Sequence, residues 1–174
     1  RLGRSIRSPE IEQVVTEAGL PISSFETTEK GICWAAAQLA EGSVLAWFSG
    51  REEFGPRALG GRSILADPRS ISMRDHINKL IKQREMFRPF APVATIETAP
   101  RLFATNGKEY PHMLETVPVL SDDLKAVTHV DGTARLQTVS QVEDPLLHSL
   151  LVEFGKRTGV ECLLNTSYNI KGEP

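Results

Sequence analysis

Four stretches of this chain gather cations and small polar groups at spacings that suit a bound anion. Residues 50–69, GREEFGPRALGGRSILADPR, carry four glycines, two prolines and four arginines. Glycine and proline make such a loop rigid and close-fitting. Arg57 and Arg62, held between Gly55-Pro56 and Gly60-Gly61, can then grip a phosphate with two guanidinium forks while the small neighbours let backbone amides approach it. KQREMFRP adds Lys82, Arg84 and Arg88 just ahead of an apolar run, with Pro89 setting the approach; cations that serve solubility are scattered rather than gathered. LLNTSYN closes another apolar run with Asn165, Thr166, Ser167 and Asn169, and THVDGTARLQT offers His129, Asp131, Arg135 and Gln137 around a D-G turn suited to orienting a substrate.

The chemistry these residues imply is electrostatic positioning. The chain has neither the strand-to-helix GxGxxG of dinucleotide binders nor a Walker lysine, and no G-x-S-x-G, H-E-x-x-H or nucleophile with a base beside it. Covalent catalysis is therefore not indicated, and no metal-ligand spacing exists. Each stretch also has a plainer reading: a tight turn with solvated arginines, a strand end capped by Asx or Ser/Thr turns, a structural histidine.

Composition narrows the partners. The formal net charge is −2, yet residues 51–88 hold nine Lys/Arg against five Asp/Glu, leaving 11 against 17 elsewhere, so +4 there and −6 outside. A local basic segment in an acidic chain fits a small anion better than a long polyanion, so nucleic acid is an unfavoured partner. With 174 residues, 40% apolar, the chain is one domain's worth and buries a core without disulfides. It lacks a membrane-spanning apolar run and an amino-terminal leader, and reads as soluble and cytoplasmic. Cys33 and Cys162 sit in apolar stretches and are expected as small buried residues, and Trp34, Trp47 and the seven phenylalanines as core.

The elements that position these groups follow from pattern. SPEIEQVVTEAGL reads as a helix with Ser8 as N-cap, and TEKGICWAAAQLAEG as a second one ending near Gly42. SVLAWFSG reads as a strand buried on both faces, so that the basic loop begins where a buried strand ends. SMRDHINKLIKQRE has Met73, Ile77, Leu80 and Ile81 at helical spacing, with Arg74, Asn78 and Lys82 on a neighbouring face. APVATIE is the next strand, TAPRLFAT a short helix, HMLETVPVL and ARLQTVS strands. DPLLHSLLVEFGKRTG is the clearest helix, from Asp144 as N-cap to Gly159, and leads into the strand VECLLN. The alternation predicts an α/β fold with an open mixed sheet flanked by helices.

EFGPRALGGRSILADPR, IKQREMFRPFAP, HVDGTARLQTV and LLNTSYNIKGEP together resemble the carboxyl-terminal domain of the O-carbamoyltransferase family of antibiotic-tailoring and nodulation-factor enzymes, over nearly the whole chain from about Leu2 to Pro174. The resemblance implies a YrdC-like open twisted mixed sheet. It also implies that ATP, accompanied by Mg2+, and carbamoyl phosphate form carbamoyl adenylate here, with release of phosphate and pyrophosphate. Lys82 and Arg84 match the K-x-R pair of YrdC domains, and Ser167 and Asn169 their S-x-N. Lys82, Arg84 and Arg57 are thus expected in catalysis, and Arg62, Arg88, His129, Arg135, Asn165, Ser167 and Asn169 in binding.

Iron and the acceptor hydroxyl would belong to a preceding actin/Hsp70-like domain of the same protein. Residues 1–174 would then be a fragment of the longer enzyme, ending short at GEP, with a homodimer as a further possible partner. Departures from the family pattern are Gly61 where Asn is usual, GRS at Gly3–Ser5, and Tyr168 in place of Phe. The resemblance also keeps open a nucleic-acid-binding YrdC-like module and a threonylcarbamoyl-adenylate synthase, though the latter lacks GPRALG and HVDGTAR.

Overall fold

A computed structural model describes residues 3–169. The IKGEP end of the fourth motif and Leu2 lie outside the described residues. The chain forms a mixed α/β domain around an open five-stranded sheet in the order β1 (Leu45–Phe48), β2 (Arg62–Ala66), β7 (Cys162–Ser167), β3 (Ala91–Thr95) and β6 (Gln137–Val139). Only β3 and β6 run parallel; the other neighbours are antiparallel. A small second sheet pairs β4 (Val117–Pro118) with β5 (Thr133–Ala134).

Alternation along the strands divides two cores. Leu65, Val93 and Leu163 face helices α2 (Thr28–Ala40) and α5 (Pro145–Thr158), whose Leu39, Leu147, Leu150 and Phe154 are fully buried. Ala66, Ala94, Cys162 and Leu164 face the other way, onto Ile77, Phe90, Phe103, Leu124 and Leu136. Successive strand residues point to opposite faces, so both layers are filled from one sheet. The α5 helix has the predicted ends: Asp144 Oδ1 accepts from Leu147 N at 3.1 Å, Pro145 opens it, and Gly159 leaves it at φ 78°.

Several expectations are corrected. The β2 strand lies inside the stretch expected as a basic loop, where Ser63 to Ala66 are buried sheet. As an edge strand, β1 alternates half-buried and exposed instead of being buried on both faces. TAPRLFAT holds only the single turn of α4 (Ala99–Leu102), HMLETVPVL contributes only β4, and ARLQTVS divides into β5 and β6 at Arg135-Leu136. The α1 helix (Ser8–Glu17) has Arg7 at its N-cap position and buries no residue. Cys33 is exposed while Cys162 is buried. Trp34 is 50% exposed and Phe54 94% exposed, so the aromatic residues are not all core.

The helix expected after the loop begins as α3 (Ile71–His76) and opens into a wider π-helical turn at Ile77–Ile81, closed by Lys82 N donating to Ile77 O at 2.8 Å. The wider turn breaks the 3.6-residue register. Ile77 stays buried, Leu80 is turned out, and Asn78 and Lys82 go inside. Among the described residues, no helix is long and apolar enough to cross a membrane.

Phe154 and Phe54 make the same residue type do opposite work. Phe154→Ala is expected to cost about 3–5 kcal/mol in urea unfolding, and Phe54→Ala to stay within about 0.5 kcal/mol of the parent.

Candidate functional site

Where β7 ends, and where β2 and β3 begin beside it, the four predicted stretches converge. Ala91 stands opposite Asn165 and Ser63 opposite Ser167 across the sheet. A cavity of about 420 Å³ opens there. Arg57 enters its wall from the Gly-Pro loop, Arg84 and Arg88 from the segment before β3, and His129 and Arg135 from either side of β5; Asn165, Thr166 and Ser167 form the strand-end wall. Among the described residues, no Asp or Glu lines it.

Three predicted residues, Arg62, Lys82 and Asn169, fall outside that cavity. Arg62 lies 3.5 Å over the Phe48 ring and donates to Gly61 O at 2.8 Å. With Asn169 it lines a neighbouring hollow that shares Arg57 and Ser167 with the main cavity, and also a groove beside α1. Lys82, 5% exposed, stands behind the wall. Its Nζ donates to Ser167 O at 2.7 Å, Ser167 Oγ at 3.2 Å, Asn169 O at 2.5 Å and Asn169 Oδ1 at 2.9 Å. The lysine of K-x-R thus holds the S-x-N strand end directly, and the Ser167 hydroxyl bonds Asn169 in turn.

Arg84 departs from Lys82 because Gln83, between them, takes a left-handed φ of 46°. Its Nε donates to Asn78 Oδ1 at 2.7 Å, and its guanidinium stands 4.6 Å from the Phe90 ring centre. Asn78 is itself pinned by donating to Met86 O and Arg88 O. Burial, followed by the charge of Arg88, pushes the Arg84 pKa below its ordinary value; for Arg135 the causes are burial and then Arg57. Arg57, Arg84 and Arg135 make no salt bridge with a described carboxylate. Arg88 is 3.6 Å from Glu85. Partly buried cations that crowd one another are poised to gain from a bound anion.

The backbone of the basic loop is arranged otherwise than the sequence suggested. Its amides do not face a ligand, because Glu53 takes them: Oε1 accepts from Leu59 N at 2.9 Å and Gly61 N at 3.0 Å, and Oε2 from Arg62 N at 3.0 Å. Ser63 Oγ accepts from Gly60 N at 3.0 Å. On the carbonyl side, Gln137 donates to Leu59 O at 2.9 Å and Asn165 to Ala58 O at 3.1 Å, and Asn165 also donates to Gln137 Oε1 at 2.8 Å. Gln137 is therefore a buried brace rather than a ligand contact. Glu53, Asn78 and this use of Gln137 were missed by sequence reasoning; the one signal was an acid opening a loop otherwise full of arginine.

Asn165 is 1% exposed, and its Oδ1 has no hydrogen-bond partner. Beside the cavity, this buried acceptor is an unmet hydrogen-bond demand. The Arg135 Nε is likewise unpartnered. Burial, followed by the opposing pull of Asp131 and the push of Arg135, leaves the His129 pKa below its ordinary value near 6.5. Among the described residues, no group of three or more His, Cys, Asp or Glu converges to hold a metal ion.

Among the described residues, a guanidinium-lined cavity without carboxylates at a strand end of a mixed α/β sheet has the charge that suits a small anion. A family model described as the carbamoyltransferase C-terminus matches residues 36–174, and the chain belongs to that family. It is 51% identical over 145 residues to the nodulation protein NolNO of Sinorhizobium fredii, covering 80% of this chain and 21% of that protein. The nodulation protein NolO of Bradyrhizobium diazoefficiens is 49% identical over 145 residues, covering 80% of this chain and 26% of that protein. It is also 48% identical over 136 residues to the 3'-hydroxymethylcephem-O-carbamoyltransferase of Amycolatopsis lactamdurans, covering 78% of this chain and 26% of that protein. The chain spans about a fifth to a quarter of the length of these curated relatives.

Two outcomes follow from this geometry. A Cβ at Gly61 would meet Glu53 Cγ and Cδ at 2.8 Å. Gly61→Ala should therefore destabilise by about 1–3 kcal/mol, and by clearly less in a Glu53→Ala background, as a double-mutant unfolding cycle would measure. In an NMR titration, the His129 ring should protonate with a midpoint below 6.5. Its depressed pKa contributes stability that is full above about pH 6.5 and is lost as the pH falls through the folded-state value.

Proposed function

We propose that this domain makes carbamoyl adenylate from ATP and carbamoyl phosphate within an ATP-dependent O-carbamoyltransferase. The observation that carries the reading is the clustering of guanidinium groups at the strand end where buried Asn165 keeps an unpartnered Oδ1. Polyphosphates need the cations; a carbamoyl group, alone among the participants' reacting parts, brings an N–H2 that Asn165 Oδ1 would accept from once ligand entry shifts the wall to expose that atom.

The balance of the reaction assigns the groups. Water releases carbamate and phosphate from carbamoyl phosphate; a carbamate oxygen then bonds to the α-phosphorus of ATP as the bond to pyrophosphate breaks. Arg57, Arg84 and Arg88 would hold the phosphates and offset charge building at the α-phosphorus, with Arg135 on the facing wall. Ser167 would meet the ligand at the strand end, in a position that Lys82 and Asn169 maintain. Arg62 and Asn169, in the adjoining hollow, are placed for the part of the nucleotide that extends past Arg57 and Ser167. The cavity wall offers hydroxyls but no carboxylate, so Mg2+ would enter on the phosphates of ATP rather than on protein ligands.

Transfer to an acceptor hydroxyl, and any iron, would belong to a separate amino-terminal domain of the longer protein. A reaction fed by ATP would place the enzyme in the cytoplasm.

Calorimetry tests the reading with ATP and Mg2+ first, then carbamoyl phosphate. ATP should bind, and Arg84→Met should weaken it roughly tenfold through loss of a charge-assisted contact. Acetyl phosphate, with methyl in place of N–H2, should bind about tenfold or more weakly than carbamoyl phosphate, because Asn165 Oδ1 would remain unpaired. Equal affinity for the two phosphates would remove the carbamoyl assignment, and absence of ATP binding would remove the adenylate one.

A further inference from the structure

The loop from His129 to Thr133 closes on itself in a way that determines where the imidazole carries its proton. His129 N donates to Thr133 O at 2.8 Å, and Gly132 N to His129 O at 3.0 Å. Thr133 N donates to Asp131 Oδ1 at 3.0 Å, and the Thr133 hydroxyl gives its single proton to the same oxygen at 2.8 Å. Thr133 Oγ1 also lies 3.2 Å from His129 Nδ1. With its own proton committed to the carboxylate, the hydroxyl faces the ring with lone pairs only. The proton between them must sit on Nδ1. A neutral imidazole has one ring proton, so Nε2 is left bare.

We propose that Asp131 and Thr133 are positioning residues that lock His129 in the Nδ1–H tautomer and so make its Nε2 a hydrogen-bond acceptor of the arginine-lined cavity. Unconstrained neutral histidine prefers the opposite tautomer, so the relay inverts a default. His129 lines the cavity, and its Nε2 bonds no described residue. The arginines around it can only donate. A bare Nε2 is thus an acceptor among donors, and it selects a ligand that carries N–H as well as negative charge. The charged groups facing the ring are Asp131 and Arg135. The lock is a property of the loop alone; the selection of an N–H2 ligand rests on the carbamoyl reading above.

Long-range proton–nitrogen NMR of the labelled 174-residue chain at pH 8, where the ring is neutral, reads the tautomer directly, with His129→Gln identifying the signals. The parent should show His129 as Nδ1–H. Thr133→Val, which keeps the shape but removes the hydroxyl, should turn it mainly to Nε2–H, and Thr133→Ser should restore Nδ1–H. Asp131→Ala, at an exposed position, frees the hydroxyl proton and should also erode the lock, so the test survives if Thr133→Val folds poorly. An Nε2–H parent, or an Nδ1–H ring in both Thr133→Val and Asp131→Ala, overturns the relay. A second arm measures carbamoyl phosphate affinity, which should fall several-fold in Thr133→Val and be retained in Thr133→Ser. A working lock with unchanged affinity overturns the acceptor role. ATP enters neither readout, so a failure of nucleotide binding is a separate result.

Discussion

Glu53, seated among the amides of Leu59, Gly61 and Arg62, is the interaction on which the site depends. A glycine-rich loop whose N–H groups converge is an anion-binding concavity. Here the protein supplies the anion itself. Because Gln137 and Asn165 take the carbonyls of Leu59 and Ala58, both polar edges of the loop are satisfied internally. What the loop then offers to solvent is the side chain of Arg57, whose own hydrogen bond is a long 3.4 Å contact to Pro56 O. Charge-assisted bonds to three amides are stronger than neutral ones, and they act where loop entropy would otherwise scatter a guanidinium.

Holding several guanidiniums together is unfavourable until a ligand arrives, and the fold supplies the restraint. Arg84 is gripped by Asn78 and backed by Phe90, while Asn78 is anchored by two backbone carbonyls in the turn before β3. The π-helical turn places Asn78 and Lys82 on the inside together. From there Lys82 fastens the end of β7 and Asn78 aims Arg84, so one irregular turn sets two walls of the cavity. Irregular helical turns often mark functional positions for this reason: they direct side chains where a regular helix would not.

Legibility in the sequence followed how local each cause was. The α5 helix was readable because Asp144, Pro145 and Gly159 act within a few residues of themselves. The β2 strand was not, because Ile64 to Ala66 look like a short apolar interlude until β7 and β1 pair with them across the chain. The cationic residues of the site were legible as types, since arginine clusters beside glycine have few uses. Their division of labour was not. Whether Arg62 grips a ligand or stacks on Phe48, and whether loop amides stay open or close on Glu53, depends on contacts between residues that sequence order separates. Cys33 and Trp34 misled for the same reason: they lie in an apolar stretch, but α2 presents Ile32, Ala35, Ala36 and Leu39 to the core and turns those two outward.

The charge balance takes on a more definite meaning beside this geometry. The excess of +4 over residues 51–88 is set against −6 in the rest of the chain. Salt screens exposed charges beyond roughly 8–10 Å, so a ligand deep in the cavity feels chiefly the guanidiniums, while an extended polyanion also meets the acidic surroundings. Part of the formal excess is also neutralised locally: Arg69 is bidentate on Asp67, and Arg74 pairs with Asp75. Of the cations without a described carboxylate partner, Arg57 and Arg84 stand on the cavity wall, joined there by Arg135 from outside the segment. A cluster of this kind suits a compact phosphate-bearing ligand better than a long nucleic-acid backbone, which would need an extended basic face.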